Sequence, residues 1–101
     1  MVIKILPRAK QRIIEIWDYT SRIWDEEQAD TYTKGLTSHI LDISSHKMSW
    51  SILKEKRMKN IFYLQYRHHY IFFRELSDHI GVISILHENM DIPARLKEDN
   101  R

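Results

Sequence analysis

Five cations and one histidine carry most of the chemistry that this chain of 101 residues can offer. Lys54, Lys56, Arg57 and Lys59 crowd into six positions, and Arg74 closes an aromatic run further on. Such a set neutralises phosphate. Cutting RNA through its 2′-hydroxyl needs cations against the phosphorane charge, and it also needs a base and an acid. His87 is the candidate for that proton work, because an imidazole titrates near neutrality. Each of these residues has a plainer role open to it as well. The His87 ring can simply hydrogen-bond the turn at Glu88-Asn89. Arg74 can pair with Asp91 in the turn after the next strand, and the lysines can form a solvated loop.

Metal chemistry has little to stand on. His68 and His69 are neighbours, so on a strand their side chains point to opposite faces. His39 and His46 are seven positions apart and lack a third ligand. The chain has no cysteine, which excludes disulfides and thiolate metal sites and suits a reducing cytoplasm. No metal and no other cofactor is expected.

The formal net charge of +2 conceals a segregation. Residues 1–46 carry 6 Lys/Arg against 7 Asp/Glu, residues 47–74 carry 7 Lys/Arg against Glu55 alone, and residues 75–101 carry 3 against 6. The middle block is therefore the candidate surface for an anionic partner, nucleic acid or an acidic protein segment. The apolar run at Val2–Leu6 is too short for a signal peptide, and no stretch approaches the ~20 apolar residues that span a bilayer. No membrane partner is expected.

The elements that must position these residues follow from periodicity. Val2 to Leu6 is a short strand rich in β-branched residues, and Pro7 favours the first turn of a helix. Ile13, Ile14, Trp17 and Trp24 recur at helical spacing, predicting a helix over 8–24. Asp25-Glu26-Glu27 then sets acids where a helix dipole favours them. Ala29, Tyr32, Leu36, Ile40 and Ile43 extend a second helix to about residue 44, and the short junction implies a hairpin. Residues 45–60 show no clean period.

Three aromatic and β-branched runs come next, at 61–64, 69–76 and 80–87, separated by short turns. They predict an antiparallel meander. The fold class is thus α+β, in the order β-α-α-β-β-β, with an antiparallel sheet packed against a helical hairpin. One domain spans residues 1–101, with residues 92–101 expected as a mobile C-terminal tail. Tyr70 and Phe72 share one face of the sheet and Ile71 and Phe73 the other. If the hairpin covers one face only, the second face has aromatics to hide, and a partner can cover them.

Several of these segments resemble the ParE branch of the RelE/ParE toxin superfamily. Ile14-Glu15-Ile16-Trp17-Asp18-Tyr19-Thr20 is similar to the family's first helix, and Trp24 with Gln28-Ala29-Asp30-Thr31-Tyr32 to its helix junction. His69-Tyr70-Ile71-Phe72-Phe73-Arg74 resembles its aromatic strand ending in arginine. Ile85-Leu86-His87-Glu88-Asn89-Met90-Asp91 resembles its closing strand and turn. The stretch Ser44–Ser51 departs from the family, lacking the usual Asn-Pro and glycine residues.

The resemblance implies a plasmid-stabilisation toxin of a type II toxin–antitoxin pair in the bacterial cytoplasm. It would poison DNA gyrase through the A subunit, by binding rather than by catalysis, and be silenced by a ParD-like antitoxin. The RelE-like alternative is an endonuclease that cuts mRNA on the ribosome, with His87, Arg74, Lys56 and Arg57 in its site. Such nucleases usually rely on a late tyrosine, and no tyrosine follows Tyr70 here. A third reading is an inactive toxin that only binds its antitoxin. The candidate target contacts are Lys54, Lys56, Arg57, Lys59, Arg74, His87, Met90 and Asp91. The candidate antitoxin contacts are Tyr70, Phe72, Trp17 and Trp24.

Overall fold

Pro7 and Asp25 set the register of the helical half. The computed structural model describes residues 2–100. Strand β1, Val2–Ile5, leads straight into α1, Pro7–Ile23, with proline in the first turn where a missing N–H costs nothing. Helix α2, Glu26–Leu41, starts at Asp25, whose carboxylate accepts the Gln28 N–H at 2.7 Å. The Trp17 indole N–H donates to Asp30 at 2.8 Å and ties the two helices together. A 3-10 segment, Ile43–Ser49, follows, and Trp50 turns inward, its indole N–H donating to the Ile43 carbonyl at 3.0 Å.

Four strands complete the sheet: β2, Ser51–Ile52; β3, Phe62–Tyr66; β4, His69–Glu75; and β5, His79–His87. Their order is β1-β5-β4-β3-β2. The meander expected from the sequence is present and antiparallel. The edge strand β1 is not: it pairs parallel with β5, Ile3 opposite Ile80 and Ile5 opposite Val82. Everything between β1 and β5 serves as the long crossover that a parallel pair requires.

The sheet is covered on both faces, which the expectation of a single helical cover missed. On one face Ile71, Phe73, Val82 and Ile85 pack against Ala9 and Ile16 of α1 and Leu36 and Ile40 of α2. On the other, Phe72, Ile83 and Leu86 lie beneath Met58, Ile61 and Leu96. Leu96 belongs to α3, Ile92–Asp99, so the expected mobile tail is a helix. Asp91 caps it, Pro93 stands in its first turn, and Ile92 and Leu96 fall on one face four residues apart. The bidentate grip of Arg12 on Asp99, at 2.7 and 3.1 Å, holds its end down, and the Ser84 hydroxyl donates to the same carboxylate at 2.6 Å. Charged residues around Leu96 hid this helix, because its apolar stripe is only two residues long.

One irregularity decides where the functional side chains point. Phe72 stands opposite Ser84 but Phe73 stands opposite Val82, leaving Ile83 as an extra residue in β5. Such a bulge shifts the alternation by one position. Ile80 and Val82 face the hairpin before it, and Ile85 faces the hairpin after it. His87, two residues beyond Ile85, is thereby turned to the hairpin side.

Candidate functional site

Strand β4 separates the candidate residues into two groups. At its first residue, His69 pairs with His87, and near its last, Arg74 pairs with Gly81. Five residues at roughly 3.3 Å each put about 16 Å between these levels. Alternation also sets Arg74 on the face of Tyr70 and Phe72, away from the hairpin. The sequence candidates for one nuclease site, His87 and Arg74, therefore do not converge. Asp91 follows the His87 end of β5 and caps α3, so the expected Arg74–Asp91 ion pair is absent as well.

The histidine end opens into a cleft of about 580 Å3 between α1 and the tips of β4 and β5. Tyr32, His69 and His87 line it, with Ile16, Tyr19, Trp24 and Met90 among its walls. The His69 and His87 rings meet edge to face, their centroids 5.1 Å apart. His68 sits in the turn before β4 rather than on the strand, so it borders the same cleft as His69. The two do not share a ligand position: Nδ1 of His68 meets Glu88 at 2.6 Å, and Nδ1 of His69 meets the Tyr32 hydroxyl at 2.6 Å. His39 and His46 merely stack, with centroids 6.0 Å apart. Among the described residues, no group of three or more potential ligands is placed to hold a metal ion.

The protonation pattern of this end follows from its hydrogen bonds. The Tyr32 hydroxyl and His69 Nδ1 share a hydrogen bond of 2.6 Å. His87 Nδ1 accepts the Asn89 N–H at 3.0 Å, the plainer role foreseen for it. Accepting at Nδ1 leaves the His87 ring its proton on Nε2. Burial, reinforced by the neighbouring His87 and His68, pulls the His69 pKa down to about 4. Burial also raises the Tyr32 hydroxyl above its usual value. The floor of the cleft thus presents Tyr32, His69 and His87 between largely apolar walls, with Glu15 also in its lining. Its one guanidinium, Arg12, is committed to Asp99, whose proximity raises the Arg12 pKa further. No free cation stands beside His87 among the described residues lining the cleft to steady a phosphorane.

The opposite end carries the cations. Phe62 pairs with Phe73, so Ile61 and Arg74 stand side by side one residue further on. The Leu53 N–H donates to the Ile61 carbonyl at 2.9 Å and closes the loop between β2 and β3 at that level. Met58 and Ile61 turn into the second core, which leaves Lys54, Lys56, Arg57 and Lys59 exposed on the outside. Asn60 adopts φ 62°, a left-handed turn that asparagine tolerates. None of these four cations, nor Arg74, makes an ion pair with a described residue.

The remaining candidates fall unevenly. Trp24 is 68% exposed and Met90 42%, both at the rim of the cleft. Trp17 is half-buried and already bonded to Asp30. Tyr70 is half-buried edge-on to Tyr63, while Phe72 is only 2% exposed beneath α3 and the basic loop. As placed here, Phe72 cannot meet a partner. Two residues of the cleft escaped the sequence analysis. Tyr32 read as a core position at helical spacing, and Arg12 gave no sign of its partner 87 residues away.

With this geometry in hand, comparison with known proteins is direct. The model of the ParE toxin family, described as the ParE toxin of the type II toxin–antitoxin system parDE, matches residues 3–92. The chain belongs to the ParE toxin family. It is the toxin member of a type II toxin–antitoxin system. A solved structure from the chromosomal ParDE toxin–antitoxin system of P. aeruginosa has the same fold, with a TM-score of 0.73 at 13% identity. The match covers 86% of this toxin and 95% of that chain. No curated protein matches this ParE toxin in sequence. No helix among its described residues is long and apolar enough to cross a membrane.

Proposed function

We propose that this toxin acts in the bacterial cytoplasm by binding DNA gyrase, through the A subunit, and that a ParD-like antitoxin silences it. The observation that carries a binding mode of action is the separation of His87 from every unpaired cation of the basic end. An RNA-cleaving site needs acid, base and cation within reach of one phosphate. Here the histidines occupy a cleft in which Arg12, the one arginine among its described lining residues, is bound to Asp99, and the cations of the basic loop and Arg74 lie at a level about 16 Å away along β4.

The two ends suit two partners. The basic loop and Arg74 engage the target. The cleft, with Tyr19, Trp24 and Met90 around a hydrogen-bonding floor, receives the antitoxin, since exposed aromatic anchors around a polar pocket are what protein interfaces use. The shared fold with a chain of the P. aeruginosa ParDE system supports a ParD-type partner.

Expression of the toxin alone tests the target. A gyrase poison leaves cleaved plasmid and induces the SOS response while translation continues. Translation arrest within minutes over intact plasmid would replace this reading with the ribosomal one. Unimpaired growth would leave only antitoxin binding.

A further inference from the structure

We propose that the basic end of the sheet is a binding surface for the phosphodiester backbone of duplex DNA, contacted by Lys54, Lys56, Arg57, Lys59 and Arg74. The inference deepens the target reading and rests on it for its biological setting, because gyrase works on duplex DNA. The contact itself rests on charge and on how the loop is built.

The loop is a fixed platform rather than a loose lysine-rich stretch. Leu53, Met58 and Ile61 anchor it in the second core, and its ends are hydrogen-bonded to each other. A turn within it closes through the Met58 N–H and the Glu55 carbonyl at 3.2 Å. The apolar side chains point inward, so what remains outward is charge. Four cations stand within six positions, and Glu55 is the sole acid among them. Arg74 adds a fifth from the neighbouring strand at the level where the loop begins and ends. Several other cations of the toxin are paired, as in Arg12 with Asp99 and Lys47 with Glu75. Leaving five cations together without partners keeps like charges close, a cost that an external polyanion removes.

Nucleic acid fits this surface better than an acidic protein segment does. Protein interfaces are depleted in lysine and centred on aromatic or apolar anchors, and the loop presents none. Phosphate contacts need only positive charge and reach. Duplex DNA rather than RNA follows from the target reading, since gyrase works on duplex DNA, and His87, the candidate for RNA cleavage, lies at the other end of the sheet.

Fluorescence anisotropy of a short labelled DNA duplex, titrated with the full-length toxin in the absence of gyrase, tests the inference. With four to five phosphates neutralised, log affinity should fall against log salt with a slope of about −4, or roughly two hundredfold between about 50 and 200 mM. The pair Lys54→Ala and Lys56→Ala should reduce that slope by about 2. Lys54→Arg with Lys56→Arg should retain it, and Arg8→Ala with Lys10→Ala on α1 should leave it unchanged. Circular dichroism melting verifies that each variant is folded. The inference is overturned by no binding at the lowest salt, or by an equal loss in the α1 pair. Displacement by polyglutamate as readily as by DNA would point to an acidic protein, and about tenfold tighter binding of an RNA duplex to RNA. Duplex binding without gyrase-dependent DNA cleavage would sink the gyrase reading and leave this contact standing. Cleavage without duplex binding would do the reverse.

Discussion

The two ends of strand β4 present opposite kinds of surface. Around His69 the chain builds a concave cleft floored by Tyr32, His69 and His87, with aromatic walls and with Arg12, the one arginine among its described lining residues, held by a carboxylate. Around Arg74 it builds a loop that turns Met58 and Ile61 inward and whose cations make no ion pair with a described residue. A catalytic site would merge these properties, with proton-transferring groups and free cations in one pocket. The proposed binding mode of action rests on their separation along a single strand.

The Asp99→Ala variant attacks the comparison hardest. It removes the buried bidentate partner of Arg12, leaving it the partly exposed Glu15 at 3.1 Å, and should cost about 3–5 kcal/mol. For a domain of this size that lowers Tm by roughly 15–30 °C in a calorimetric melt. It would also free a guanidinium at the cleft, so any gain of RNA cleavage by a surviving folded fraction would show that the locked arginine is what keeps the cleft inert. Neutralising Lys54, Lys56, Arg57 and Lys59 together should leave Tm nearly unchanged, because the four are exposed and unpaired. It should weaken capture of the gyrase–DNA complex by about a hundredfold. If instead antitoxin affinity collapses, the assignment of partners to ends is reversed.

Trp24→Ala sharpens the other side. The indole is 68% exposed, so stability should barely move, while antitoxin affinity should drop by about 2 kcal/mol in a calorimetric titration. A smaller effect arises from pH. The unfolded His69 takes up a proton near pH 6.5 and the folded one only near pH 4, so the unfolded state binds more protons between those values. Stability from the neutral ring is complete above about pH 6.5 and is lost as pH falls towards 4. The ring is half-buried, so screening reduces the contribution to about 1–2 kcal/mol. His69→Gln should flatten that part of the pH dependence of the urea midpoint, and an unchanged profile would contradict the burial of a neutral imidazole.

The helical hairpin and the three-strand meander were legible because each announces itself locally. Spacings of three and four carry α1 and α2, Asp25 marks their junction, and alternating Tyr70, Ile71, Phe72 and Phe73 mark β4. The ParE resemblance rested chiefly on Phe73-Arg74 and on His87 to Asp91, which are local runs as well. What escaped depends on contacts between distant segments. The bulge at Ile83 exists because β4 and β5 pair out of step, and no periodicity in β5 alone reveals that His87 turns to the hairpin side. The grip of Arg12 on Asp99 joins residues from opposite ends of the chain. Glycine weakens a helix, and the missing side chain of Gly35 in α2 makes room for the Tyr66 hydroxyl from β3, a contact no local pattern reveals. Helix α3 was the avoidable miss, since Asp91, Pro93 and the spacing of Ile92 and Leu96 are helix-start signals in plain view.

The most direct test sets one residue of each end side by side in a single assay. Purified gyrase and supercoiled plasmid are incubated with the toxin, with His87→Gln, and with the fourfold alanine variant of Lys54, Lys56, Arg57 and Lys59, and trapped cleaved plasmid is measured on a gel. The account predicts full cleavage with His87→Gln and little or none with the fourfold variant. Loss of cleavage with His87→Gln, alongside full cleavage by the fourfold variant, would contradict it.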